Sequence, residues 1–185
     1  MRRLFFMAAG YGFTPKRWAQ DAGATTDSFI IANDETINKG DAVRLDTDGF
    51  LVRAGANETL LGIVVGLITR DGISLDNTPP ADYGGTYTSG NVGTESYVAA
   101  DDNETEDRVN ALVHVGNGVA YLGRLDADLG TTAASVVGAR FDITAAADRI
   151  DENTATVGTA QMVCVDNDPT GDDYALFRIF ETQVY

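Results

Sequence analysis

Between Ser28 and Gly72 the chain reads SFIIANDETINKGDAVRLDTDGFLVRAGANETLLGIVVGLITRDG, and this stretch restricts the fold more than any other. Its apolar residues fall in short runs: Phe29 to Ile31, Val43 with Leu45, Phe50 to Val52, and Leu60 to Leu67. Asn, Asp, Gly and Thr fill the gaps. Runs of that length, bounded by turn residues, specify consecutive β-strands. Asp46-Thr47-Asp48-Gly49 separates two of them, and Gly49 can take the positive φ that a tight hairpin loop requires.

The same texture continues. Strands are expected near 28–32, 42–46, 50–54, 60–68, 95–99, 109–115, 119–125, 139–144, 157–166 and 174–184. In the last, Phe177 and Ile179 share one face and alternate with Arg178 and Phe180. Asn117-Gly118, between two β-rich runs, is the best two-residue hairpin signal in the chain. Residues 131–137 can form one short helix, with Thr131 or Thr132 as cap and Ala133-Ala134 inside it. From Ile73 to Thr94 the residues are loop-like, and a loop so long in a compact domain usually covers something; Tyr83 and Tyr87 would be its contact residues. Twenty glycines against four prolines favour many turns, and 44% apolar residues suffice for a core. The expected class is all-β: a compact β-barrel or β-sandwich over 28–185, with an extended N-terminal arm and linker over 1–27 and at most one short helix.

A fainter pattern lies across the two halves. Gly40-Asp41-Ala42-Val43-Arg44-Leu45 has a counterpart in Gly138-Ala139-Arg140-Phe141-Asp142-Ile143, and the turn before Phe50 has one in Ala147-Asp148-Arg149 before Ile150. Leu61 to Val65 matches Val157 to Val163 in placement, with Gly62 set against Gly158. Internal duplication and two merely similar meanders both fit an echo this loose.

Charge is unevenly placed. Arg2, Arg3, Lys16 and Arg17 give the first 20 residues four positive charges and no acid, which leaves the remainder at −19 of the formal net −15. An acidic body repels phosphate backbones, so nucleic acid is not an expected partner. The start, Met1-Arg2-Arg3-Leu4-Phe5-Phe6-Met7-Ala8-Ala9, resembles a secretory signal, but its apolar part is only Leu4 to Ala9 and too short to span a bilayer. No membrane is expected as a partner. Leu4, Phe5, Phe6, Phe13 and Trp18, with Arg17 beside them, read instead as an arm that needs a surface to bury its aromatics.

Little in the chain suggests catalysis. Cys164, the single cysteine, lies in the apolar run Met162 to Val165 and behaves as a small hydrophobe. His114 stands in a strand, facing away from Val113 and Val115, as a solvent-facing or hydrogen-bonded residue. One Cys and one His cannot make a zinc set, and Gly62, Gly66, Gly116 and Gly118 form no phosphate loop. The acidic loops 101–107 and 166–173 carry oxygen ligands, but the first lacks the glycine and terminal glutamate of an EF-hand. The expectation is no metal, no cofactor and no enzymatic activity.

Taken together, Lys39-Gly40-Asp41-Ala42-Val43-Arg44-Leu45, Asp48-Gly49-Phe50-Leu51-Val52-Arg53-Ala54, Leu61-Gly62-Ile63-Val64-Val65-Gly66 and the segment from Phe141 to Val163 resemble tailed-bacteriophage capsid decoration, or cement, and minor capsid proteins. The resemblance is one of texture over about residues 28–181 and brings no catalytic residues. It implies a β-barrel or sandwich on the outer surface of the capsid, with the major capsid protein as partner and a homo-oligomer, a trimer among the options. Leu4, Phe5, Phe6, Phe13, Arg17, Trp18, Tyr83 and Tyr87 are then the expected capsid contacts. The rival expectation is a carbohydrate- or receptor-binding module of a tail or head fibre, built on exposed Tyr83, Tyr87 and Tyr97.

Overall fold

The computed structural model describes residues 12–18, 25–75, 83–116, 118–125, 137–151, 161–167 and 174–180. In chain order these form β1 (Thr14–Trp18), β2 (Thr25–Ile30), β3 (Thr36–Asn38), β4 (Ala42–Leu45), β5 (Leu51–Arg53), β6 (Gly62–Thr69), β7 (Thr86–Thr88), β8 (Ser96–Val98), α1 (Asn103–Glu106), β9 (Val109–Val115), β10 (Val119–Arg124), β11 (Arg140–Ile143), β12 (Ile150–Asp151), β13 (Met162–Asn167) and β14 (Tyr174–Ile179). The protein is all-β, with one short helix among the described residues, and its paired strands run antiparallel. α1 lies within the acidic loop, and residues 131–136, where the sequence predicts a short helix, lie outside the described part.

The 46–49 hairpin forms as its sequence requires. Asp46 Oδ1 accepts the amides of Asp48 and Phe50, both at 2.9 Å, and Gly49 has φ +90°. The Asn117-Gly118 signal does not make a hairpin. β9 pairs with β2 and β6 in a five-stranded sheet, whereas β10 pairs with β1 and β14 in a six-stranded one. The chain crosses there from one core to another. A turn-forming dipeptide marks a reversal but not which partner each strand takes.

The two large sheets repeat one plan. The first runs β2-β9-β6-β4-β5; the second runs β10-β14-β13-β11-β12, with β1 added outside β10. The registers agree residue by residue. Val43 lies opposite Gly62 and Phe141 opposite Met162; Leu45 opposite Leu51 and Ile143 opposite Ile150. Each unit shifts register at one place, between Val64 and Gly66 and between Cys164 and Asp166, so Val65 and Val165 are equivalent bulges. Each sheet is also curled back on itself by one parallel bridge, Ile31 to Leu51 and Leu125 to Ile150. Gly40 and Gly138 are likewise equivalent, and both have positive φ, +98° and +87°. The register sets Gly62 against Met162, so the expected match to Gly158 was out of step by a few residues.

The units share a wall. On β4 and β6, Ala42 and Ile63 reach the second core while Val43 and Val64 reach the first. Such strands are buried on both faces and read as continuous apolar runs. Gln161 stitches the seam: its Nε2 donates to Gly55 and Glu58 carbonyls, and its Oε1 accepts the Ile143 amide. Added strands of the first unit meet as a third sheet ordered β3-β8-β7. The expected loop over 73–94 therefore contains a strand and buries Leu75 and Tyr83.

The N-terminal boundary also moves. β1 pairs with β10 from Thr14 opposite Leu122 to Trp18 opposite Val119, and Thr25 to Asp27 belong to β2. Residues 14–18 and 25–27 are thus strand residues of the two large sheets.

Candidate interaction surface

Phe13, expected as a contact residue, is turned inward. It is wholly buried in the second core, held by its amide on the Gly40 carbonyl at 2.8 Å. The ring lies over Gly123, where an added Cβ would come 2.8 Å from Phe13 Cε1 and 3.0 Å from Phe177 Cδ2. An aromatic ring that close needs a residue without a side chain beneath it. Leu4, Phe5 and Phe6 lie outside the described residues. Arg17 and Trp18 sit in β1 opposite Ala120 and Val119, and their side chains are likewise outside the description.

The tyrosines are turned inward. Tyr97 is 1% exposed and Tyr83 8%. The Tyr97 hydroxyl donates to the carbonyls of Tyr83 at 3.4 Å and Gly84 at 3.3 Å. Tyr83 donates its own hydroxyl to Asp71, and that bond holds the phenol above its usual range. Tyr87, opposite Tyr97, is half-buried against the first core. An aromatic platform needs exposed ring faces, and neither Tyr83 nor Tyr97 offers one. Tyr83 and Tyr97, expected as exposed contacts, are thus buried against the first core.

What the third sheet does present is its other face. Ile37, Tyr97 and Tyr87 point inward, so Thr36, Val98 and Thr86 form one outward row and Asn38, Ser96 and Thr88 the next. Val98, Thr86 and Thr88 are exposed. This gives a flat, uncharged strip on an otherwise acidic protein. Sequence reasoning missed it although the alternation is there, in Thr-Tyr-Thr and Ser-Tyr-Val, because three-residue strands give too few repeats to stand out.

The acidic loop is spent on structure. Asp102 holds Arg108 through two bonds of 2.8 and 2.6 Å, and that guanidinium keeps the Asp102 carboxyl below its usual range. Asn103, wholly buried, donates Nδ2 to the Ile31 and Val109 carbonyls and accepts the Val109 amide at 2.9 Å. Glu104 and Asn33 exchange side-chain and amide bonds, both 2.9 Å. Among the described residues, no three His, Cys, Asp or Glu side chains gather in a way that could hold a metal. Of the second loop, 168–173 lies outside the described part.

Several buried polar groups lie near the seam. Asp41 Oδ2 accepts the amide and Nδ2 of Asn38 at 2.8 and 3.0 Å, while Oδ1 is buried with no partner among the described residues. Burial pushes this carboxyl up to about 7, although Asn38 and Arg53 oppose the shift. Asp142 is also buried, and desolvation, with Asp151 nearby, raises it. His114 is 9% exposed, its ring centroid 6.4 Å from that of Tyr121; it faces the second unit rather than solvent, and burial lowers its pKa. Burial pushes the Cys164 thiol up to about 11, which keeps it protonated at neutral pH.

Compared with protein-family models, curated proteins and solved structures, the chain matches none.

Proposed function

We propose that the chain is a structural protein of a tailed-phage virion that binds the outer capsid lattice and stabilises it by bridging major capsid subunits. The observation that carries this is the tandem repetition: two units of one topology and register, fixed to each other through a shared wall. A lattice repeats one subunit at fixed spacings. A rigid pair of like units can meet two neighbours at once, and the second contact then forms at a high effective concentration. Each bridge adds to the work of separating subunits under internal pressure. The texture shared with capsid decoration proteins points the same way, and the net charge of −15 suits an outward surface that stays soluble and away from DNA.

With Phe13 in the core, the grip falls to Leu4, Phe5 and Phe6 and to the uncharged strip of the third sheet. Removing residues 1–11, which stops short of Phe13, leaves the folded body intact and should abolish co-sedimentation with capsids that lack this protein. Equal capsid binding by the truncated chain would end the arm as the anchor.

A further inference from the structure

We propose that Arg140 and Arg178, on the outer face of the second sheet, form a docking site for an extended acidic segment of a partner protein, each guanidinium taking one of its carboxylates. The proposal does not depend on the capsid reading.

Register brings the two arginines together. Val163 of β13 lies opposite Arg140 of β11 on one side and Arg178 of β14 on the other, so the three side chains share one face. Phe141, Phe177 and Ile179 point into the second core, and that face is therefore the outer one. Arg140, Val163, Arg178 and Phe180 are all partly exposed. With neighbouring strands about 4.8 Å apart, the two arginines stand about 10 Å from each other across β13. The register of β10 on β14, continued by one residue, sets Ala120 beside Arg178, and Arg17 of β1 lies opposite Ala120.

The second argument is what these arginines lack. The chain has 28 acidic residues against 13 lysines and arginines, so a cation rarely wants for a carboxylate. Lys39, Arg44, Arg53, Arg108 and Arg149 each have one, at 2.6 to 3.7 Å. Arg140 and Arg178 have none among the described residues. Asp142, two residues along β11 on the same face, is wholly buried, and neither of its oxygens has a hydrogen-bond partner among the described residues. Arg140 lies instead over the Phe180 ring, 3.5 Å from its centroid, and a guanidinium stacked in that way keeps its N–H edge for a planar acceptor. Arg178 Nε is buried with no acceptor among the described residues. A donor shielded from water and left unpaired is costly, and a carboxylate arriving in the plane of the fork would satisfy it.

Charge and spacing identify the occupant. Two unpaired cations on an acid-rich protein call for an anion. A nucleic acid carries charge all along its backbone and would meet Asp151 and Asp166, which register sets on the same face beside Asp142 and Leu176. A peptide can place its charges selectively. In the polyproline II form a segment presents the same face every three residues, about 9 Å, so carboxylates three residues apart match the two arginines.

NMR of the arginine Nε–Hε groups reads the site directly, with a capped peptide of three Glu-Thr-Ser repeats titrated into the full chain. The Arg140 and Arg178 signals should move together and saturate, while that of Arg70, which bonds the Glu106 carbonyl, stays still. Added salt should weaken the binding, because the two partners are oppositely charged at the site. Arg140→Gln combined with Arg178→Gln should weaken it at least about tenfold. Arg140→Lys, which keeps the charge and loses the fork, should weaken it with the fold undisturbed. No movement of either signal at millimolar peptide, equal binding of a Gln-Thr-Ser peptide, or equal binding by the double variant overturns the proposal. Tighter binding of a single-stranded oligonucleotide overturns it by giving the face to nucleic acid, and movement of the same signals as the chain alone is concentrated overturns it by giving the face to a second copy.

Discussion

Phe13 is where the arm and core readings diverge, and Phe13→Ala together with Gly123→Ala separates them. A buried phenylalanine removes about 150–250 Å² from water. Truncation at a core site costs about 3–5 kcal/mol, with the upper end where the surroundings cannot collapse. Here the floor of the site is the backbone of β10 at Gly123, held on both sides by β1 and β14, so little collapse is available. For a chain of this length such a loss lowers the melting temperature by roughly 6–20 °C. Gly123→Ala in the parent forces a methyl to within 2.8 Å of the Phe13 ring and should itself cost about 1–3 kcal/mol. In the Phe13→Ala background the same methyl enters vacated space, so the double variant should be more stable than the sum of the single losses by about 1 kcal/mol or more. Equilibrium urea unfolding of the four proteins measures all of this. A Phe13→Ala loss below about 0.5 kcal/mol, or strict additivity with Gly123→Ala, would refute the placement of Phe13.

Asp41→Asn tests the seam. The folded value of about 7 lies above the model-peptide 3.8, so the folded chain binds this proton more tightly, and the group's contribution to stability falls as pH rises between them. At about 1.4 kcal/mol per pH unit the ceiling is about 4 kcal/mol, and Asn, which keeps an acceptor for Asn38, should gain on the parent between about pH 4.5 and about pH 8 in paired melts; a constant difference would contradict the burial. Gly62→Ala should yield no soluble folded protein, because its Cβ would abut the His114 carbonyl oxygen, 2.6 Å from Val113 Cγ1 and 2.9 Å from the His114 carbonyl carbon. Met162→Ala, at the equivalent position, should cost only the about 2–5 kcal/mol of a lost core side chain, and expression and urea melts compare the two.

Ten of the strands were legible because each is a short apolar run between turn residues, whereas β1, β3, β7 and β12, too short or too polar to stand out, were not; the Asp46-to-Gly49 hairpin was legible because its chemistry is entirely local. Partner choice was not. Asn117-Gly118 looks like a hairpin, yet the strands on either side enter different sheets, a decision made by contacts far apart in sequence. Tyr83 and Tyr97 misled in another way: aromatic residues among Gly, Ser and Thr suggest a binding loop, and only the third sheet shows them roofing the first core. Phe13, seven residues beyond Phe6 and two beyond Tyr11, carried no sign in its neighbours that Gly123 waits beneath it.

The duplication explains its own faintness. Where both units face like surroundings the echo survives in sequence, as in Gly40 to Leu45 against Gly138 to Ile143, where a left-handed glycine leads into the central strand. Where surroundings differ it is gone. Val119 to Leu122 lie beside β1 and are apolar or alanine; Thr25 to Ser28 have no such strand beside them among the described residues and are polar. Gly62 lies against the backbone of His114 in the shared wall, whereas Met162 fills the second core alone. Side chains answer to burial at each position, but strand order, register and the bulges at Val65 and Val165 answer to the chain path, which both units keep. Polarity along Thr25 to Ser28 is therefore what an edge that no described strand covers needs in water, and it accounts for the loss of the echo there.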